Sequence, residues 1–131
     1  MSIDARLDVL GLVVADMAAS LAFYRRLGVP VPPDADGAPH VEHVLPGGLR
    51  LAWDTEDTIR SFHPGWEPPG SGRVALAFRV ADPAAVDAAH AELVGAGYRS
   101  ELAPFDAPWG QRYATVLDPD GTGVDLFAPV S

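Results

Sequence analysis

The 131-residue sequence contains no cysteine and no lysine. The first absence excludes a disulfide framework, a thiolate metal site and a cysteine nucleophile. The second excludes Schiff-base chemistry, since all nine basic residues are arginine. Bases are scarce as a class: nine stand against 18 acids, a formal net charge of −9. That balance argues against nucleic acid as a partner, because phosphates call for a basic surface. No apolar run approaches the ~18 residues that cross a bilayer. The opening M-S-I-D-A-R-L-D has no basic start backed by an apolar stretch. The expectation is a cytoplasmic protein with no membrane partner. There is no G-x-S-x-G elbow, and Gly47-Gly48 and Gly70-Ser71-Gly72 lack the flanks of a phosphate loop.

What is present is an apolar fraction of 48%, enough for a single domain over 1–131 with a real core. The acidic surplus serves solubility and would also draw a cationic ligand.

The stretch from Pro108 to Phe127 organises the chain. Gln111 to Leu117 is a strand by composition, with Tyr, Thr, Val and Leu close together. Asp118-Pro119-Asp120-Gly121 is a turn: Pro119 presets φ, the two acids bond nearby N–H groups, and Gly121 accepts positive φ. Val124 to Ala128 returns as a second strand carrying one acid, Asp125. A carboxylate in an otherwise apolar strand points to solvent, to a partner or into a concave site.

Upstream, Leu7 to Val14 reads as a strand, Asp16 as an N-cap and Met17 to Leu27 as a helix with Leu21, Tyr24 and Leu27 on its stripe, ended by Gly28. Val29 to Pro33 is extended. Val41 to Leu45 and Leu49 to Trp53 are strands about a Pro46-Gly47-Gly48 turn. Asp54 to Arg73 is the longest irregular stretch. Val74 to Val80 is a strand, Asp82-Pro83 a cap, Ala84 to Val94 a helix, Tyr98 to Leu102 a short strand and Ala103 to Pro108 a loop. Val14, Asp16 and Leu27 recur as Val80, Asp82 and Leu93 at one constant offset. The chain is therefore a duplication: a β-α-β-β-β module over 7–54, a connecting loop over 55–73 and a second module over 74–129.

V-V-A-D-M-A-A-S-L-A-F-Y-R-R-L-G (13–28), V-A-L-A-F-R-V-A-D-P-A-A-V (74–86) and the closing D-P-D-G hairpin with its acid resemble the vicinal-oxygen-chelate superfamily of glyoxalases, bleomycin-resistance proteins and extradiol dioxygenases. The resemblance implies an α+β fold of two tandem βαβββ modules, their curved mixed sheet forming a cup with helices outside, and a homodimer. It also implies, in the enzymatic branches, a divalent metal held by His or Gln, Glu, His and Glu from the first and last strands of each module. Carried over, those positions fall on Val9, on Arg50 to Ala52, on Ala75 and on Asp125, and only the last can ligate. The expectation is a metal-free member with no cofactor. His40 and Glu42 share one strand face with His43 opposite, and these three are the residues through which a relocated metal would bind. His63 and His90, like them, read as surface or hydrogen-bonded side chains.

The candidate ligand-binding residues are Trp53, Trp66, Trp109, Arg112, Asp125 and Phe127: aromatic walls for a flat ligand, with Asp125 and Arg112 as polar anchors. Arg112 and Asp125 could also pair with each other across the hairpin. No catalytic residue stands out. Two functions stay open. One is a small-molecule binding protein that sequesters an aromatic or cationic compound, as the antibiotic-resistance branch does. The other is a metal-dependent lyase, isomerase or dioxygenase of the same superfamily with non-standard ligands.

Overall fold

A computed structural model describes residues 4, 6–70 and 74–130. Residues 1–3 and 5 of the opening segment, 71–73 at the end of the expected connecting loop, and 131 lie outside the described residues. The chain divides into two units, Met1–Pro68 and Pro69–Ser131. The architecture is α+β, with one mixed sheet in each unit, two α-helices in the first and one in the second.

The first unit runs β1 (Val9–Val14), α1 (Met17–Arg26), a 3₁₀ turn (Pro33–Gly37), β2 (His40–Val44), β3 (Arg50–Thr55) and α2 (Glu56–Phe62). Asp16 caps α1, its side chain accepting from the Ala19 N–H at 3.1 Å. The sheet order is β1-β3-β2, with β1 parallel and β2 antiparallel to β3. The buried stripe of α1 includes Leu21, Phe23 and Tyr24, and the ring of Tyr24 meets that of Trp53 edge-on at 5.7 Å. The segment from Val29 to Pro32, expected to be extended through Pro33, joins no ladder and leads into the 3₁₀ turn that begins at Pro33. Pro30, Pro32 and Pro33 have no N–H to give one. Its carbonyls are instead held by Arg25, which donates to Val31 O at 2.8 Å and Pro32 O at 2.6 Å. The first sheet therefore has three strands where the second has four.

The stretch from Asp54 onward is not all irregular, contrary to the sequence reading. Thr55 caps α2 by accepting from the Thr58 N–H at 3.1 Å, Glu56 and Asp57 sit in the first turn and Arg60 in the last. The prolines and glycines that suggested a loop begin only at Pro64.

The second unit runs β4 (Ala75–Arg79), α3 (Pro83–Gly95), β5 (Ser100–Ala107), β6 (Gln111–Leu117) and β7 (Gly123–Pro129). The order is β4-β7-β6-β5, with β4 parallel to β7 and the other pairs antiparallel. One face is covered by α3. Val86 and Leu93 are buried there with Ala114, Val116, Val124, Leu126 and Ala128. The hairpin turn closes as its residues dictate: Asp118 Oδ1 accepts from the Asp120 and Thr122 N–H groups, both at 2.9 Å, and Gly121 takes φ +85°. The expected short strand and loop over 98–108 form one eight-residue strand, β5. Two register shifts, each placing one extra residue on β5, and Pro104 had masked it. Both are tolerated because β5 is an edge strand.

Candidate ligand-binding face of the second module

The pairing register sorts every β6 and β7 side chain onto one of two faces. Ala114, Val116, Val124, Leu126 and Ala128 turn to α3. Tyr113, Thr115, Asp125 and Phe127 turn to the other face, where Thr115 lies opposite Asp125 and Tyr113 opposite Phe127. On the neighbouring strands Ala77 stands opposite Asp125, Leu102 opposite Thr115, and Phe105 opposite Tyr113.

Asp125 is held from two sides. Thr115 Oγ1 donates to Oδ1 at 2.7 Å and the Tyr113 hydroxyl donates to Oδ2. Burial of the Tyr113 ring, followed by the adjacent carboxylate, pushes the Tyr113 hydroxyl up to about 12, so it stays a donor across the physiological range. Each carboxylate oxygen has accepted one hydrogen bond and retains capacity for another. The carboxylate thus offers a fixed pair of acceptors to the open side of the sheet.

An aromatic corner adjoins it. The Trp109 ring lies edge-on to Tyr113 at 5.3 Å and to Phe105 at 6.3 Å, and Phe105 meets Tyr113 at 6.1 Å. Trp109 is 58% exposed, its indole N–H donating to Gln111 Oε1 at 2.8 Å. Beyond Asp125 the floor drops, because Ala75 and Gly123 pair there with almost no side chain. Over that floor lies a cavity of about 600 Å³ lined by Tyr113, Thr115, Asp125, Leu102, Arg99 and Glu101 among others, with Trp109, Phe105 and Phe127 outside its lining, within the range of small-molecule sites.

Of the six candidates, this face brings together Asp125 and Phe127, with Trp109 joined to them through Tyr113. Arg112 is elsewhere. It pairs with Ala128 on the helix-facing side, where its guanidinium grips Asp87 of α3 at 2.9 and 3.1 Å and Asp106 at 3.2 Å. The cross-hairpin pair with Asp125 does not form, because adjacent positions of one strand point to opposite faces. Trp53 is a core residue of the first unit with 0% exposure, offering no surface to a ligand. Trp66, also in the first unit, is half-buried with the Arg60 guanidinium 5.4 Å from its ring centre. Tyr113, Thr115 and Phe105 were missed. Counting back across the Asp118–Gly121 turn from Asp125 would have found the first two, since the register places them on its face. Phe105 was hidden by the irregular β5.

The donor set does not fit a metal of the kind the resemblance implies. The strand neighbours of Asp125 on its face are Ala77 and Thr115. In the first unit Gly11 and Ala52 stand opposite each other on the strands expected to ligate. No group of three or more His, Cys, Asp or Glu side chains placed to hold a metal occurs among the described residues. His40 has both ring nitrogens engaged, with Asp54 at 2.6 Å and Glu42 at 2.7 Å, and Glu42 passes the chain on to Arg50 at 2.8 Å. A second concavity, in the first unit, is lined by Asp16, Asp36 and Asp57. Asp16 is occupied as a cap there, and Asp36 pairs with Arg25 at 2.7 Å.

Residues 6–126 match the model of the Glyoxalase/Bleomycin resistance protein/Dioxygenase superfamily. A glyoxalase/bleomycin resistance protein/dioxygenase from Nocardioides superposes with a TM-score of 0.74 at 26% identity, covering 100% of this chain and 87% of that one. A family enzyme of the same description from Burkholderia phytofirmans gives 0.77 at 20% identity, covering 94% and 98%. A glyoxalase-related enzyme from Fulvimarina pelagi gives 0.75 at 24% identity, covering 93% and 86%. No protein of curated function matches.

Proposed function

The chain belongs to the Glyoxalase/Bleomycin resistance protein/Dioxygenase superfamily, and from that premise we propose that it is a small-molecule binding protein, sequestering a flat aromatic compound with a cationic or hydrogen-donating group. The reading is carried by one observation: Asp125 is braced by two hydroxyls on an open sheet face, beside an exposed aromatic corner, and its strand neighbours among the described residues, Ala77 and Thr115, add no second acid or imidazole. A lone, oriented carboxylate is a poor metal site and a good anchor for an ammonium or amidinium. Stacking on Trp109 adds about 0.5–1.5 kcal/mol beyond area burial. Sequestration in this mode is how a resistance protein of the bleomycin type would act. The proposal includes a cytoplasmic homodimer, a state favoured by the unpaired edges that each sheet carries among the described residues. Sedimentation at micromolar concentration should return twice the chain mass.

The test is calorimetric titration with a flat aromatic cation such as ethidium, against wild type and Asp125→Asn. Loss of a charge-assisted hydrogen bond costs about 1–3 kcal/mol, so affinity should fall by roughly 5- to 150-fold while the melting temperature is kept. Equal affinity in the two proteins, or no binding of the cation by wild type at millimolar concentration, overturns the reading.

A further inference from the structure

Among the described residues, the cavity around Asp125 holds one cation. Arg99 lines it together with Asp125 and Glu101, and no other arginine among the described residues does. Four other guanidinium groups are committed to acids. Arg25 pairs with Asp36, Arg50 with Asp8 and Glu42, Arg60 with Glu56 and Asp57, and Arg112 with Asp87 and Asp106. Arg99 makes no such pair among the described residues, although Glu101, near the start of β5, lies two positions along the chain. Its backbone is fixed, with the Leu117 N–H donating to Arg99 O at 2.8 Å. In a protein of net charge −9, an exposed guanidinium left without an acid beside a cavity stands out against the general field.

Resting on the binding reading above, we propose that the cavity takes a zwitterionic aromatic compound, its positive group on Asp125 and its negative group on Arg99. Arg99 lies opposite Leu117, which pairs with Gly123, two residues before Asp125. Asp125 is therefore two strands across and one pair step along, roughly 12 Å between Cα atoms from ordinary strand spacings. Strand side chains stand roughly perpendicular to the sheet, so the two charged heads rise from the open face and stay on the order of 10 Å apart, which one benzene ring with a charged substituent at each end can bridge. Leu102, 45% exposed, and Val74, 60% exposed, supply apolar lining for the ring. A guanidinium binds a carboxylate or phosphonate through two parallel N–H donors, which sets direction as well as charge. A purely cationic ligand would leave that fork empty, and a purely anionic one would meet Asp125.

Three probes separate the ends: 4-amidinobenzoate carries both charges, benzamidine only the positive one and benzoate only the negative one. In calorimetric titrations wild type should bind 4-amidinobenzoate at least tenfold tighter than benzamidine. Arg99→Gln should abolish that advantage without weakening benzamidine, which would lose only a repelling cation. Arg99→Lys should keep part of the advantage, which shows that charge rather than fold is being read. Asp125→Asn should weaken 4-amidinobenzoate and benzamidine alike. If Arg99→Gln leaves the tenfold ratio intact, or wild type shows no ratio, the zwitterion assignment is wrong while a benzamidine response to Asp125→Asn still upholds the anchor. If Asp125→Asn changes neither, the anchor itself fails.

Discussion

Thr115 and Asp125 sit directly opposite each other on β6 and β7, and the threonine hydroxyl donates to the carboxylate across that pair at 2.7 Å. With Tyr113 on the other oxygen, the acid is oriented before any ligand arrives. Preorganisation of this kind lowers the entropy lost on binding.

The Tyr113 hydroxyl reports on that arrangement. It is pushed up to about 12 from an ordinary 10.0, first by burial and then by Asp125. Because the folded state favours the neutral phenol, its contribution to stability is complete below about pH 10 and is lost as pH rises toward 12. Spectrophotometric titration should find one tyrosine ionising late. Asp125→Asn should move it down only part of the way, since burial persists. A full return to 10.0 would mean that burial is not the larger cause.

The tryptophans divide by role. Trp109→Phe should remove most of any ligand-induced fluorescence change, while Trp53→Phe should leave it. Trp53→Ala should cost about 3–5 kcal/mol in urea unfolding, the usual penalty for emptying a large core site. Trp53→Phe should cost less than its lost volume suggests, because the buried indole N–H has no acceptor among the described residues. A ligand signal that survives in Trp109→Phe places the ligand elsewhere.

Arg112 belongs to cohesion rather than binding. Arg112→Gln should lower the melting temperature, and the loss should shrink in high salt because the partner acids are exposed. Ligand affinity should stay within twofold of wild type. A tenfold loss of affinity with an unchanged melting temperature would return Arg112 to the site.

His40 should titrate above its ordinary 6.5, held charged chiefly by its hydrogen bond to Asp54 and then by Glu42. A raised folded value means that its contribution is fully present below pH 6.5 and declines as pH climbs through the folded value. Imidazole NMR gives that value directly, and His40→Gln should flatten the fall in melting temperature over the same interval. Titration at or below 6.5 would show that the Asp54–His40–Glu42 chain does not persist in solution.

Much of this was legible in the residues. The two caps, Asp16 and Asp82, and the Asp118–Gly121 turn are local chemistry, and local chemistry reads well from sequence. So does the single acid in β7. What could not be read were relations across strands. Arg112 and Asp125 looked like partners because both are charged and close in a hairpin, yet a one-residue difference in register parity separates them by a whole sheet. Trp53 looked like a lining residue because it ends a strand. Only the packing of Tyr24 over it reveals a core. Helix α2 was missed because prolines farther along dominated the composition of its neighbourhood.

The two extra residues in β5 bear on how this protein can change. The first lies at the cavity wall between Ser100 and Leu102 and the second just beyond it, and neither disturbs the β6–β7 ladder that carries Asp125. Insertions, deletions or even a proline in that edge strand can be absorbed by shifting a bulge, so Leu102 and Phe105 can be exchanged or re-aimed at small cost in stability. A substitution that changes parity in β6 or β7 would instead turn the carboxylate toward α3. Mutational tolerance is therefore unevenly distributed around one cavity: a permissive rim on β5, and an unforgiving floor on β6 and β7. A library confined to 99–106 should yield folded variants with altered ligand preference at far higher frequency than one of equal size over 112–117.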